Sequence, residues 1–164
     1  MPDRFAHCTF CGARFTPGQA WPRRCAACGE TSYRNPAPVA VAVQPVGGGL
    51  LVVRRWIAPA FGRLAMPVGF IEVGESWQEA VVRKLAEETG LSAFPNVVRL
   101  FDTLSARDGT LLVFGELPAL DSLPPQAAST ESLRLEVLTA PAELGFPLHT
   151  QVANRFFRNR SATV

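Results

Sequence analysis

Runs of hydrophobic positions alternate along the chain with short polar or glycine-rich segments. Five β-branched-rich runs predict strands: 39–46, 50–56, 97–106, 110–117 and 133–138. Glycines at 47–49 separate the first two runs, and Arg107, Asp108 and Gly109 separate the next two. Connections of this kind favour β-hairpins. Strands on both sides of one helical segment predict an α/β or α+β sandwich.

One amphipathic helix is predicted over 76–89. Ser76 and Glu79 match a capping box, and Gly90 is the residue type that ends a helix in the left-handed conformation. The apolar side chains of this segment form one stripe that should face the sheet: Ala80, Val81 and Leu85.

The C-terminal part of the chain carries weaker signals. We expect a loop over 120–130, a short helix over 141–144 and a closing helix over 149–160. Two apolar side chains of the closing helix should point inward: Val152 and Phe156. His149 stands at the start of this helix and is expected to be a capping or surface residue.

Composition is typical of a packed protein without a membrane span. The 164 residues are 48% hydrophobic and 18% charged, which suits one main domain with a core. The net charge of +2 is too small to indicate nucleic-acid binding by itself. No run is long enough to cross a membrane, and the first residues lack signal-peptide features, so we expect a cytoplasmic protein.

Two CxxC pairs near the start predict a metal site. They are Cys8/Cys11 and Cys25/Cys28, separated by thirteen residues, and each pair is followed by glycine. A two-residue spacer lets both thiolates of a pair face one ion, and four thiolates suit tetrahedral zinc. A reducing cytosol disfavours two disulfides, and a redox CxxC does not usually occur as two pairs. We therefore expect a closed, structural zinc site.

The domain boundary is expected just after the cysteines. Pro36 and Pro38 favour an extended linker. We expect a zinc ribbon over 1–34 and a larger domain over 35–164.

Carboxylates cluster where a loop enters the central helix. The loop at 66–75 is punctuated by glycines, and Lys84, Glu87 and Glu88 share one patch of the helix because they lie three and four residues apart. Carboxylate oxygens at such a junction indicate a magnesium site for phosphate chemistry. Lys84, the chain's only lysine, is out of place there.

The same segment resembles the signature of the Nudix hydrolase family, the Nudix box. Eight positions carry the resemblance: Gly69, Glu75, Arg83, Leu85, Glu87, Glu88, Gly90 and Leu91. The resemblance implies a Nudix α/β/α sandwich with a mixed sheet, and hydrolysis of nucleoside diphosphates linked to another group. One position departs from the box, because Lys84 stands where the family has a glutamate that usually binds metal.

The resemblance also implies the site residues. Glu75, Arg83, Glu87 and Glu88 would form the catalytic group, and Glu87, Glu88 and Gly69 would hold magnesium or manganese. Lys84 leaves three possibilities: one weakly held ion and reduced activity, a lysine that contacts a substrate phosphate, or a domain that binds nucleotide without cleaving it. We favour reduced activity.

A cysteine ribbon ahead of such a domain is similar to the zinc-ribbon Nudix pyrophosphatases, which act on NADH, FAD or ADP-ribose. The signature SQPWPFPxS of the NADH branch is absent, so ADP-ribose or FAD fits better. These relatives also imply a substrate-binding carboxylate near Glu131, where Arg134 replaces an expected acidic residue unless the alignment shifts to Glu136. The resemblance further suggests a homodimer.

A different reading makes the ribbon a nucleic-acid-binding module. Arginines and aromatic residues surround the cysteines: Arg14, Arg23, Arg24, Arg34, Phe10, Phe15, Trp21 and Tyr33. We prefer the reading in which the aromatics build a small core, because the net charge is low. His7 adjoins Cys8 and is expected at the surface.

Overall fold

The computed structural model describes residues 5–124 and 134–161. The chain divides into two compact units, Met1–Pro36 and Ala37–Val164. In the described ranges no helix is both long and apolar enough to cross a membrane.

The smaller unit is built on two cysteine-led turns. The Gly12 amide donates to the Cys8 carbonyl at 3.0 Å, and the Gly29 amide donates to the Cys25 carbonyl at 2.9 Å. Both glycines have left-handed backbone, with φ near 75° and 77°, which explains why glycine follows each CxxC pair. A short antiparallel ladder joins β1 (Arg23–Arg24) to β2 (Thr31–Ser32).

Within its described residues, the larger unit contains two four-stranded sheets, two α-helices and one 3-10 turn. Its strands are β3 (Ala37–Val43), β4 (Pro45–Val46), β5 (Gly49–Arg54), β6 (Leu64–Ala65), β7 (Val68–Phe70), β8 (Arg99–Ser105), β9 (Thr110–Glu116) and β10 (Leu135–Leu138). Its helices are α1 (Trp77–Thr89), the 3-10 turn Pro95–Val97 and α2 (Pro147–Ser161).

One sheet has the order β7-β3-β9-β8 and is mixed, because only β3 and β9 run parallel. The other has the order β10-β5-β4, with β6 on β5, and is antiparallel.

Side-chain alternation on β3 separates two cores. Val39, Val41 and Val43 belong to the core that contains Val152 and Phe156 of α2. The intervening alanines of β3 belong to the core that contains Val81 and Leu85 of α1: Ala40 and Ala42. Because successive strand residues face opposite sides, the helices cover opposite faces. The expected α/β/α sandwich with a mixed sheet is confirmed.

Helix α1 has the termini that its sequence predicts. The Ser76 hydroxyl accepts from the Glu79 amide at 3.2 Å, and the Glu79 carboxylate accepts from the Ser76 amide at 2.7 Å. Gly90 ends the helix with φ near 73°. Below the helix, Gly115 of β9 allows close packing, since a β-carbon there would lie 2.8 Å from Val81 Cγ2.

Two expectations for the C-terminal part are wrong. Residues 141–144 form no helix; the Leu144 amide instead donates to the Thr150 hydroxyl at 2.9 Å, and the next amide, of Gly145, donates to the Leu64 carbonyl at 2.7 Å. Four residues make too short a helix to offset its nucleation, so contacts to other segments decide their conformation.

His149 is buried rather than at the surface, with 1% of its area exposed. Its Nδ1 accepts a hydrogen bond from the Met66 amide at 3.2 Å, and its ring packs against those of Phe114 and Phe146. Burial, with a smaller effect of the Arg55 charge, lowers the pKa of His149 to about 3. The imidazole is therefore neutral and part of the core.

Candidate active site and cysteine cluster

The site is assembled where β7 leads through a turn into α1. Strand β7 pairs with β3, with Gly69 opposite Ala40. The turn that follows contains Gly74 with φ near 86°, and the Glu72 amide donates to the Glu75 carboxylate at 3.0 Å. The loop and the first three turns of α1 thereby present their charged side chains together.

Arg83 is the centre of this charged group. Its Nε and one terminal nitrogen donate to the two oxygens of Glu75 at 2.6 and 2.7 Å, a bidentate pair. The same guanidinium donates to Glu87 and to the Phe70 carbonyl, each at 3.1 Å. The hydrogen bonds from Arg83 lower the pKa of Glu75 to about 2. The hydrogen bonds of Arg83 therefore connect the loop to helix α1.

Glu87 is held by two cations. One oxygen accepts from Arg83 at 3.1 Å and the other from Lys84 Nζ at 2.5 Å. Burial raises the pKa of Glu87, but the hydrogen bonds from Lys84 and Arg83 outweigh it, so the pKa is lowered. The Glu87 side chain is 36% exposed and still reachable from solvent.

Glu88 joins the helix to the strand. Its Oε1 accepts a hydrogen bond from the Val68 amide at 3.1 Å. The structure therefore places Glu88 beside β7, one residue from Gly69, while Lys84 pairs with Glu87.

The Lys84 tail lies directly on Gly69. A β-carbon at position 69 would lie 2.0 Å from Lys84 Cε, 2.5 Å from Cδ and 2.9 Å from Nζ. A side chain at position 69 would therefore have to displace the flexible end of Lys84. Only 22% of the Lys84 side chain is exposed.

These residues do not fit a divalent-ion site built on three box carboxylates. In residues 5–124 and 134–161, the cysteine cluster is the one group of three or more cysteine, histidine or acidic ligand atoms lying within 4.8 Å of one another. Lys84 offers no lone pair while it is protonated. Of the residues that were expected to hold an ion, Glu87, Glu88 and the Gly69 carbonyl offer oxygen ligands.

The sequence offers two candidates for the second expected carboxylate, Glu131 and Glu136. Glu131 lies outside the described residues. Glu136 pairs across the sheet with Arg54, with nitrogen-oxygen distances of 2.6 and 3.1 Å.

Sequence reasoning also missed the backbone partners of the site, the Val68 amide and the Phe70 carbonyl. No side-chain pattern could have indicated them.

The four cysteine sulfurs come together in the smaller unit. Cys8 and Cys28 Sγ lie 3.8 Å apart, and Cys11 and Cys25 Sγ lie 3.6 Å apart, so no disulfide joins them. Sulfurs bound tetrahedrally at about 2.3 Å from zinc would be about 3.8 Å apart. Amides of Cys11 and Phe10 lower the pKa of the Cys8 thiol to about 6, which favours its thiolate. An amide of Glu30 lowers the pKa of Cys28, but burial and the neighbouring thiols outweigh it and raise this pKa to about 12. The sulfur spacing is therefore what supports a metal site. The cluster fits zinc.

The aromatic residues of this unit divide into two groups. Phe15 packs edge-on against Trp21 with ring centroids 6.0 Å apart, and Arg23 lies 4.4 Å over the Trp21 ring. Phe10 and Tyr33 are more than 60% exposed. The first group builds a small core, as expected, and His7 is at the surface.

Comparison with known proteins gives the class of this chain. A family model described as the NUDIX domain matches residues 34–158, more than half of the chain. The chain belongs to the NUDIX family.

Two curated relatives match about half of this chain in sequence. The chain is 38% identical over 76 residues to the ADP-ribose pyrophosphatase of Methanocaldococcus jannaschii, covering 46% of this chain and 44% of that protein. It is 34% identical over 86 residues to the NAD-capped RNA hydrolase NudC of Salmonella heidelberg, covering 51% of this chain and 33% of that protein. The chain thus spans less than half the length of both curated relatives.

A crystal structure of a NUDIX hydrolase from Nitrosomonas europaea resembles the chain in fold. The TM-score is 0.71 at 23% sequence identity, covering 95% of this chain and 92% of that one.

Proposed function

We propose that this chain is a Nudix-type hydrolase that cleaves the pyrophosphate bond of a nucleoside diphosphate linked to another group, such as ADP-ribose, FAD or NADH. The observation that best supports this is the assembly of Glu75, Arg83 and Glu87 against the backbone of β7. The two curated relatives are named for ADP-ribose and for NAD-capped RNA, which both contain such a bond.

The residues of the box have different tasks in this proposal. Arg83 and Glu75 position the loop on the helix, because their hydrogen bonds are directed at each other and at Phe70. Glu87, Glu88 and the Gly69 carbonyl would hold one magnesium or manganese ion. Such an ion, when bound, would activate water and neutralise charge on the phosphates.

Lys84 weakens this ion site. It replaces a carboxylate by a cation, and its ammonium lies on Glu87. Two unit charges 4 Å apart interact by about 4 kcal/mol at an effective dielectric constant of 20, and a divalent ion roughly doubles that. Solvent reduces the repulsion at this partly exposed site. We therefore propose reduced turnover.

The experiment is a hydrolysis panel with ADP-ribose, FAD, NADH and a diadenosine polyphosphate, with magnesium or manganese. The wild type and Lys84→Glu are compared, and Glu88→Gln serves as the inactive control. Metal-dependent cleavage of at least one compound, increased by Lys84→Glu and lost in Glu88→Gln, supports the proposal. Cleavage without divalent ions contradicts it.

The second candidate function is nucleotide binding without hydrolysis. The observation in its favour is that two cations neutralise Glu87, the carboxylate next to Lys84 on the helix surface. Binding of ADP-ribose by calorimetry, with no cleavage in either the wild type or Lys84→Glu, would favour this function over the first.

We also propose that residues 1–34 form a zinc ribbon whose ion is structural. The supporting observation is the sulfur spacing of the cysteine cluster, Cys8, Cys11, Cys25 and Cys28. The buried apolar side chains among the described residues of this unit are few, Cys8, Phe15 and Cys25, with Ala13 and Trp21 packed against them. So small a core needs the ion to hold the fold.

A further inference from the structure

The far end of the Lys84 side chain lies against two neighbours, Gly69 and Glu87. Its methylene groups lie against the Cα of Gly69, and its ammonium lies 2.5 Å from Glu87 Oε2. A lysine at a solvated helix face would usually keep its tail mobile. Here the tail follows a defined path between strand β7 and helix α1.

The ammonium lies on a carboxylate that is expected to bind an ion, Glu87. Magnesium binds oxygen at about 2.0–2.1 Å, so an ion that approached Glu87 Oε2 from the side of Lys84 would overlap with Nζ, which is 2.5 Å from that oxygen. Nζ is also 2.9 Å from the β-carbon position of Gly69. The ammonium therefore contacts Glu87 and lies near the backbone of Gly69, two residues expected at the ion site.

We propose that the Lys84 ammonium is a tethered cation that occupies the divalent-ion position, so an ion binds only after the Lys84 tail has moved away. This inference rests on the proposed function and concerns the ion requirement of the same site. Competition by the ammonium differs from the loss of a carboxylate ligand. A tethered ammonium weakens ion binding even when the number of carboxylate ligands stays the same.

Lys84→Met separates the two effects. Methionine has nearly the length of lysine but no charge, and it adds no carboxylate ligand. If Lys84 competes with the ion, Lys84→Met should bind manganese at least about tenfold more tightly than the wild type, since a repulsive charge is removed. Lys84→Glu should bind it more tightly again, because it both removes the charge and supplies a ligand.

Manganese binding is measured by electron paramagnetic resonance on the full chain without nucleotide. The cysteine cluster is kept loaded with zinc, and thermal unfolding checks that each variant is folded. Equal affinity of Lys84→Met and the wild type, with a gain only in Lys84→Glu, would overturn the proposal. So would failure of Lys84→Glu to bind manganese. Neither result depends on whether any substrate is hydrolysed.

The single lysine allows a second, direct readout. An N-hydroxysuccinimide ester of acetic acid acylates exposed amines, and mass spectrometry of the peptide that contains Lys84 gives its rate. Saturating manganese should increase this rate severalfold, because the bound ion displaces the ammonium into solvent. The α-amino group serves as the internal reference, and its rate should not change.

Glu87→Gln provides the matched control for this readout. The glutamine lacks the negative charge that holds the ammonium, so Lys84 should react fast in this variant with or without manganese. A Lys84 rate in the wild type that stays constant or falls when manganese is bound would contradict displacement of the tail.

Discussion

The Lys84 side chain lies across the Cα of Gly69, so that a β-carbon at position 69 would be 2.0 Å from Lys84 Cε. One residue belongs to strand β7 and the other to helix α1, and the contact joins them at the centre of the box. The position of the Lys84 side chain in this chain thus depends on the absence of a side chain at position 69.

The first prediction is that Gly69 and Lys84 are energetically coupled. Gly69→Ala should destabilise the larger unit by about 1 kcal/mol, because the new methyl group forces the Lys84 tail from its place. In a Lys84→Ala background the same change should have a smaller effect, with a coupling of about 0.5 kcal/mol or more. Urea unfolding of the four variants measures it. Strict additivity would show that the tail does not rest on Gly69.

The second prediction concerns acid stability at Glu75. Its pKa is about 2 in the folded protein against 4.5 for the ordinary group, mainly because of the hydrogen bonds from Arg83. A lowered folded-state pKa stabilises the protein above pH 4.5, and this stabilisation is lost as pH falls from 4.5 towards 2. The shift corresponds to about 3 kcal/mol.

Glu75→Gln tests this prediction. The difference in unfolding free energy between the wild type and Glu75→Gln should be largest above pH 5 and should shrink towards pH 3. Taking the difference between two proteins cancels the acid effects on the cysteine cluster. A difference that is constant with pH would contradict the strong pairing of Glu75 with Arg83.

The third prediction concerns His149. Its folded-state pKa of about 3 lies below the ordinary 6.5, so the unfolded chain binds a proton that the folded chain does not. Stability should therefore fall as pH decreases from 6.5 towards 3, by up to about 1.4 kcal/mol per pH unit. His149→Asn keeps an acceptor for the Met66 amide but does not titrate.

The measurement is the slope of unfolding free energy against pH for the wild type and His149→Asn. The variant should be less stable at neutral pH, because it leaves space between Phe114 and Phe146, but its slope below pH 6.5 should be flatter. Equal slopes would mean that His149 becomes protonated in the folded protein.

The features of the fold and of the candidate site differ in how far the sequence predicts them. Helix α1 is predictable because its signals are local: Ser76 and Glu79 cap one another, and Gly90 ends the helix. The contact of Lys84 with Gly69 is not predictable from local sequence, because it depends on the tertiary placement of β7 beside α1. The sequence shows that a cation replaces a carboxylate, but not that Glu87 is held by two cations.

His149 shows the same limit. A histidine at the start of a helix is usually expected at the surface, and only the docking of α2 against β9 and the Met66 segment buries it. The four cysteines represent the opposite case, since their spacing alone is enough to predict that their sulfurs converge.

The fourth prediction is that the cysteine cluster binds one zinc ion per chain. Elemental analysis of protein prepared without chelator should find close to one equivalent. Cys11→Ser should lower it and loosen residues 5–33 in hydrogen exchange, while the exchange of β3 and β9 stays slow. Less than half an equivalent of zinc in the wild type, with disulfides formed, would remove the zinc assignment.

The most direct test of the account is the metal-dependent hydrolysis of ADP-ribose by the wild type and by Lys84→Glu. Lys84→Glu is expected to raise both the turnover and the apparent magnesium affinity, because it restores a carboxylate and removes the cation that lies on Glu87. Glu88→Gln should abolish activity in either background. Turnover that falls in Lys84→Glu, or that survives Glu88→Gln unchanged, would contradict the account.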